Sequence, residues 1–459
     1  MSNNKTPIPS LQECLDLASE TDQLLLGKGV LEQIPELLGK HYQFSSVFLV
    51  CDENTLEAAG KRVLDILAAG QIQIAGSYIF PGKPTLHAEY GHVTTVLDAI
   101  KGLPSYRDIV PIAVGSGTLN DIVKRAAFKL ELPYLCVPTA SSVDGYTAYG
   151  SALLAEGFKE TFPCSAPRVL VADSDILSAA PAYLNSSGFG DLAGKLITGT
   201  DWTIAQEAGE AGAPGTEPIN DLAWAMTQTG LKDALRASID AHKGSAEAVL
   251  TLFKALSLTG FAMQYMRSSR PVSGCEHLFS HIWEMGDLSV NGRPVTHGHK
   301  VAMGTLAATA FTEILFSFED APRALPGYQR PAAAEREAEI CAAFAEGPIR
   351  REALKVSKEK LLDRSSAEKM TAQLRDNWKD LRRKVLDILT PYDEIKDMFR
   401  KSGCPIVPKE INLTRAEVIA TARKAQMIRN RYSALDLAWD FGVMEDILRR
   451  LEAEERYLN

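Results

Sequence analysis

DIVPIAVGSGTLNDIVKRAAFKLELPYLCV, residues 108–137, decides the fold. An apolar, β-branched run (108–114) meets a glycine turn, then a helical pattern from about Thr118 to Lys129, then a second apolar run at 133–137. Strand, turn, helix and strand in that order form the repeating unit of a parallel sheet covered by helices. The alternation extends in both directions. SSVFLVC (45–51) leads into TLEAAGKRVLDILAAG, IQIAGSYIF (72–80) leads past PGKPT into YGHVTTVLDAIKG, and RVLVAD (168–173) adds a later strand.

Beyond about Ala180 the strand signals fade and long helical patterns follow, among them PINDLAWAMTQTGLKDALRAS and SAEAVLTLFKALSLTGFAMQYM. The expected architecture is an α/β domain with a mostly parallel sheet over residues 1–180, then an all-helical domain over 181–459. The boundary falls near 178–182, in SAAPAY, and GEAGAPGTEP (209–218) reads as a loop. Residues 355–389 carry ten basic and six acidic side chains at helical spacing, which predicts a solvated amphipathic helix.

The bulk properties narrow the function classes. A net charge of −9 argues against a general phosphate-backbone binder, so no nucleic-acid partner is expected. A small anionic substrate needs only a local positive patch or helix N-termini. Seven scattered cysteines without a C-x-x-C pair suggest neither a disulfide framework nor a thiolate zinc site. The apolar run Val249–Met266 is broken by Lys254 and Gln264, and MSNNKTPIPSLQECLD lacks the layout of a signal peptide. A cytoplasmic protein without a membrane span is expected.

AVGSGTLND places Gly115 and Gly117 between a buried strand and a helix start, where bare amides and the positive helix end can hold a pyrophosphate. The pattern is not G-x-G-x-x-G, and a plain tight turn explains it equally well. After the next strand, VPTASSVDGYTAYGS (137–151) strings together Thr139, Ser141, Ser142, Asp144 and Thr147, a density that helix capping alone does not explain. In VCDENT, Asp52 is either a ribose acceptor or an N-cap.

Four of the eight histidines lie within SGCEHLFSHIWEMGDLSVNGRPVTHGHK (273–300). His277 and His281 stand at i and i+4 on one helical face, a spacing that suits two metal ligands, one ligand and a neighbour, or a buried pair. His297 and His299 stand at i and i+2, so one of them at most faces an ion shared with the others. A carboxylate often completes a two-histidine set. Asp191, in an expected glycine-flanked turn of NSSGFGDLAGKLITGTDW (185–202), competes for that place with Asp201, Asp287, Glu276 and Glu284.

Together, GSGTLND, PTASSVDGYTA, GFGDLAGK, EHLFSHIWE and HGHKV follow the order and spacing of a known family. The chain resembles the sn-glycerol-1-phosphate dehydrogenases, particularly the bacterial branch, within the fold group of iron-containing alcohol dehydrogenase, glycerol dehydrogenase and 3-dehydroquinate synthase. The resemblance runs from VCDENT to RNRYSALDLAWDFG near residue 441. It implies an NAD(P)-binding α/β domain, a dehydroquinate synthase-like helical metal domain, an active site in the cleft between them, and a homodimer. It carries metal ligation onto Asp191, His277 and His297, and a substrate-facing catalytic role onto His281 and Asp144. Cofactor contacts carry over to Gly115, Gly117, Thr118, Leu119, Asn120, Asp121, Thr139 and Ser142, and to Asp52.

The departures from the family are also informative. Ala148 stands where relatives place a serine, and Cys275 replaces the serine of SGSEH. Lys195 falls where the alcohol dehydrogenase relatives place a further histidine ligand. A three-ligand site of this kind suits Zn²⁺ or Ni²⁺ at least as well as Fe²⁺. Lys195 is either a holder of substrate phosphate or a solvated helix lysine. Asp52 at a ribose-binding strand end mildly favours NAD(H) over NADP(H). The implied reaction is reversible reduction of dihydroxyacetone phosphate, a small phosphorylated three-carbon substrate, to sn-glycerol 1-phosphate. The competing readings are a glycerol or polyol dehydrogenase, a 3-dehydroquinate synthase-like lyase, and a non-catalytic nucleotide- or metal-binding protein.

Overall fold

The computed structural model describes residues 9–286 and 288–459. Six strands form one parallel sheet: β1 (Gln23–Gly27), β2 (Ser46–Asp52), β3 (Ile74–Phe80), β4 (Ile109–Gly115), β5 (Leu135–Pro138) and β8 (Val169–Asp173), in the order β1-β8-β5-β4-β2-β3. Two further strands, β6 (Ser151–Ala155) and β7 (Phe158–Phe162), pair antiparallel as a separate hairpin. Its turn is Glu156-Gly157, both at positive φ, the geometry that matches the twist of a two-residue hairpin.

The central strands are apolar on both faces because helices cover both faces. Every residue of β4 is buried. Leu49, Ile112, Val114, Leu135, Val137 and Val171 pack with Ile34, Leu38, Val63 and Leu67 into one core. Each such side chain contributes about 1.5–3 kcal/mol on full burial. β2 is followed by β3 on one side and β4 returns on the other, so the chain reverses direction across the sheet between β2 and β4. Asp52 and Gly115 end these two neighbouring strands. The carboxyl ends of strands at such a reversal are where open α/β sheets bind ligands.

The chain divides into two compact units that are not continuous in sequence. One comprises the chain up to Leu192 together with Ala225–Ser268, and the other comprises Ala193–Trp224 and Ser269–Asn459. The single boundary expected near residue 180 follows the fading of strand signals, whereas the units follow packing. The Ala246–Met266 helix contacts the helices Leu11–Leu17, Ser174–Ala179 and Leu231–Ala237, and also β1, which draws 225–268 into the first unit. By length and composition this helix is apolar enough to cross a membrane, but most of it is buried in the protein. Gln264, which interrupts its apolar run, is buried and donates to Thr21 Oγ1 at 2.9 Å and to the Thr147 carbonyl at 2.7 Å.

The second unit is helical except for a short antiparallel pair, β9 (Ser289–Val290) and β10 (Arg293–Pro294), which the expectation of an all-helical domain did not include. The Cys275–Glu284 helix packs against the His297–Leu315 and Arg415–Met427 helices. The first of these approaches is close enough to require glycine: a Cβ on Gly304 would lie 2.3 Å from the Glu276 carbonyl. The single amphipathic helix expected at 355–389 is instead three: Pro348–Lys360, Arg364–Asp376 and Trp378–Ile388. Asp363 starts the second by accepting from the Ser366 amide, a capping preference that the charge pattern masked.

Candidate active site

In the first unit, β4 runs through Gly115 and Ser116 into the Gly117–Leu130 helix. Neither glycine has a positive φ; packing requires them instead. A Cβ on Gly115 would lie 2.3 Å from Leu119 Cδ1, and one on Gly117 would lie 2.6 Å from Val143 Cγ2. Ser116 at the N-cap makes no side-chain bond to the first-turn amides, which suits a helix start that holds an anion. Leu119 and Asn120 are buried. The Asn120 amide belongs to the fold: Oδ1 accepts from Tyr134 Oη at 2.9 Å and Nδ2 donates to the Gly145 carbonyl. Asp52 is an N-cap, its Oδ1 accepting from the Thr55 amide at 2.7 Å.

The 139–150 loop is fixed mainly through its backbone. Lys124 is fully buried, and its ammonium donates to the carbonyls of Gly145, Ala148 and Gly150 at 2.7, 3.0 and 3.0 Å. Asp121 lies 3.7 Å from the same nitrogen. Asn185 Oδ1 accepts the Ser141 amide at 3.0 Å. Two helices press on the loop through glycines. A Cβ on Gly188 would lie 1.7 Å from the Ser141 carbonyl oxygen, and one on Gly260 would lie 2.0 Å from Thr147 Oγ1. Thr139 and Ser142 are buried within this loop, with Ser142 Oγ 3.3 Å from Tyr146 Oη. The Asp144 amide donates to Asp191 Oδ2 at 2.9 Å.

Asp191 does not sit in a turn. It lies within the continuous Ala182–Glu210 helix, because the small residues around it allow close helix packing rather than chain reversal. Asp191, His277 and His297 each offer one ligand atom, and the three atoms all lie within 4.8 Å of one another. Asp191 and His277 are buried, and the His277 and His297 rings are 5.5 Å apart. Both histidines have a carboxylate on Nδ1: Glu276 Oε1 at 2.6 Å from His277 and Glu284 Oε1 at 2.5 Å from His297. An ionised carboxylate only accepts, so Nδ1 carries the hydrogen and the Nε2 lone pair is left for an ion. This donor set fits a divalent metal.

The remaining acids that competed with Asp191 are thereby accounted for, except Asp287, which lies outside the described residues. Glu276 and Glu284 face the imidazoles. Burial alone would raise the Glu276 carboxyl, but the hydrogen bonds from His277, the Gly274 amide and the Thr198 hydroxyl hold it below its usual value. Asp201, Cys275 and Glu276 also cluster. The Asp201 carboxylate accepts the amides of Cys275 at 2.6 Å and Ala434 at 2.8 Å, and burial keeps the Cys275 thiol protonated. That trio anchors a helix start.

His281, one turn beyond His277, has its ring 6.3 Å from it and is half-buried. His299 is pushed down to about 4 by burial, so it is neutral at pH 7. Lys195 is fully buried, which overturns its reading as a solvated helix lysine. Sequence reasoning missed Lys124 and Thr198 and misread the two glutamates. The Glu276–His277 adjacency was a usable signal, but nothing local links Glu284 to His297, 13 residues away.

Residues 25–181 match the family described as iron-containing alcohol dehydrogenase. A glycerol-1-phosphate dehydrogenase (NAD(P)+) of Halalkalibacterium halodurans is 33% identical over 293 residues, covering 63% of this chain and 70% of the relative. This chain belongs to the glycerol-1-phosphate dehydrogenase family. A member of that family from Geobacillus stearothermophilus is 28% identical across 90% of this chain and 91% of its own. One from Bacillus subtilis is 33% identical across 64% and 72%. Among solved structures, a probable glycerol dehydrogenase from Sinorhizobium meliloti shares the fold with a TM-score of 0.57, 15% identity, and coverage of 95% of this chain and 98% of that one.

Proposed function

We propose that this glycerol-1-phosphate dehydrogenase family member reversibly reduces dihydroxyacetone phosphate to sn-glycerol 1-phosphate with NAD(P)H and a divalent metal. The observation that carries the proposal is the grouping of Asp191, His277 and His297, with a backbone amide on the first and a carboxylate on each imidazole. The family's activity comes from its curated members, and the ligand set supports that chemistry in this chain.

Asp191, His277 and His297 would hold the ion, which would supply Lewis-acid polarisation of a substrate carbonyl. The amides of Gly117 and Thr118 would hold the cofactor pyrophosphate, with Gly115, Thr139, Ser142 and Asp121 framing the nucleotide, and the nicotinamide would supply the hydride. Asp144 orients the substrate, since its backbone is fixed by Asp191 Oδ2. His281 hydrogen-bonds the substrate and delivers the proton to the C2 oxygen. Lys195 holds the substrate phosphate with a charge that burial leaves poorly screened. Two imidazoles and one carboxylate, with Lys195 in place of a further histidine, favour Zn²⁺ or Ni²⁺ over Fe²⁺. NAD(H) preference, a homodimer and a cytoplasmic setting complete the reading, on the strength of the family resemblance.

The test is metal analysis of the purified protein paired with oxidation of NADH and NADPH in the presence of dihydroxyacetone phosphate, and with glycerol plus NAD⁺ as the competing assay. Stoichiometric NAD(P)H oxidation that chelation abolishes is expected. Turnover of glycerol alone, or a rate that survives complete metal removal, overturns the proposal.

A further inference from the structure

We propose that Glu276 and Glu284 are positioning residues, each taking the Nδ1 hydrogen of one ligand histidine so that its Nε2 lone pair is presented to the ion. The inference rests on the reading of Asp191, His277 and His297 as ligands and goes beyond it by assigning the groups that make two of them competent. The Nδ1 to Oε1 distances are 2.6 and 2.5 Å, shorter than an ordinary N–H···O bond, and an ionised acceptor shortens such bonds. Both carboxylates are buried, at 0% and 7% side-chain exposure, so neither bond is a casual surface pairing.

The two acids reach their imidazoles by different routes. Glu276 precedes His277 directly and is itself fixed, its Oε1 also accepting the Gly274 amide at 2.8 Å and the Thr198 hydroxyl at 2.7 Å. No larger residue fits at position 274: a Cβ on Gly274 would lie 2.7 Å from Glu276 Oε2 and from Asp201 Oδ2. Glu284 ends the Cys275–Glu284 helix and meets His297 at the first residue of the His297–Leu315 helix. One local motif therefore does not produce both pairs. Each imidazole has its own acid, which fixes ring orientation and tautomer and raises ligand basicity.

The experiment reloads apo protein with Co²⁺. It measures affinity by chelator competition and records the paramagnetically shifted exchangeable protons, where an Nδ1 hydrogen on a bound imidazole is visible. Wild type is expected to show two such resonances. Glu284→Ala is expected to lose one and to weaken Co²⁺ binding by about 10–100-fold. Glu284→Gln, which keeps an acceptor oxygen, restores the resonance with a smaller loss. Glu276→Gln gives the same comparison for His277 where an alanine in that buried position fails to fold. If Glu284→Ala keeps both resonances, and both Glu284→Ala and Glu276→Gln keep wild-type affinity, while His277→Ala and His297→Ala lose the ion, the inference is overturned and the ligand set stands. If the histidine variants bind Co²⁺ as wild type does, the ligand set falls and this inference with it.

Discussion

Gly188→Ala is a small change with a large expected effect. A Cβ at this position would lie 1.7 Å from the Ser141 carbonyl oxygen and 2.8 Å from its carbon, and both are main-chain atoms that cannot rotate away. Relief to a tolerable 3.0 Å requires the helix and the 139–144 segment to part by about 1.3 Å. Overpacking of this kind costs about 1–3 kcal/mol or more, and alanine's better helix propensity returns at most about 1 kcal/mol. A net loss of about 2 kcal/mol corresponds to a Tm lower by about 4–8 °C for a unit of this size.

The same movement displaces Asp144, whose amide holds Asp191 Oδ2, so activity changes as well. A displacement of about 1 Å at a reacting site costs on the order of 100-fold in rate. The matched control is Gly39→Ala in the Ile34–His41 helix, where a Cβ meets nothing within 4 Å; it is expected to be neutral or stabilising by up to about 1 kcal/mol. Differential scanning calorimetry and steady-state kinetics on both variants decide the matter. If Gly188→Ala melts with wild type and keeps its kcat, the close approach of this helix to the loop is refuted.

Lys124→Met leaves three buried carbonyls without their shared donor and is expected to lower stability by about 3 kcal/mol or more in urea titrations, with a raised KM for NADH. Lys195→Ala is expected to raise the KM for dihydroxyacetone phosphate by about 10–100-fold with the fold intact, the loss of one charge-assisted bond to phosphate; an unchanged KM rejects that role. Burial, with Glu276 nearby, raises the Asp201 carboxyl from 3.8 to about 6. The native state then holds this proton more tightly than the unfolded chain does. Its contribution to stability is complete below about pH 4, declines as pH rises to about 6, and is flat above. Subtracting the stability curve of Asp201→Asn should isolate that decline, and a difference curve without slope between pH 4 and 6 contradicts it.

The sheet was legible because β2, β4, β5 and β8 are buried on both faces and therefore read as unbroken apolar runs. β1 (QLLLG) is an edge strand with only Leu24 buried and did not stand out, and the β6–β7 hairpin went unread despite its Glu-Gly turn. In the site, the histidines announced themselves by residue type and spacing. The acids did not, since an aspartate or glutamate in one dimension looks the same whether it binds an ion, backs an imidazole or caps a helix. Asp191, Glu276, Glu284 and Asp201 separate only when the bonds of each carboxylate oxygen are visible. Lys124 was hidden for a related reason: a lysine inside a helix reads as solvated unless the carbonyls around its ammonium are known.

The discontinuous first unit has a consequence for how the protein is made. The Ala246–Met266 helix contacts β1 and the Leu11–Leu17 helix, so that strand and helix wait for residues more than two hundred positions later. During translation the sheet is therefore open on that side until residues near Ser268 have left the ribosome, by which time 193–224, which belongs to the other unit, has already emerged. A fragment cut at residue 180, where the sequence pattern changes, would carry every strand of the sheet and still lack a wall. It is expected to be a chaperone client rather than a free-standing nucleotide-binding module.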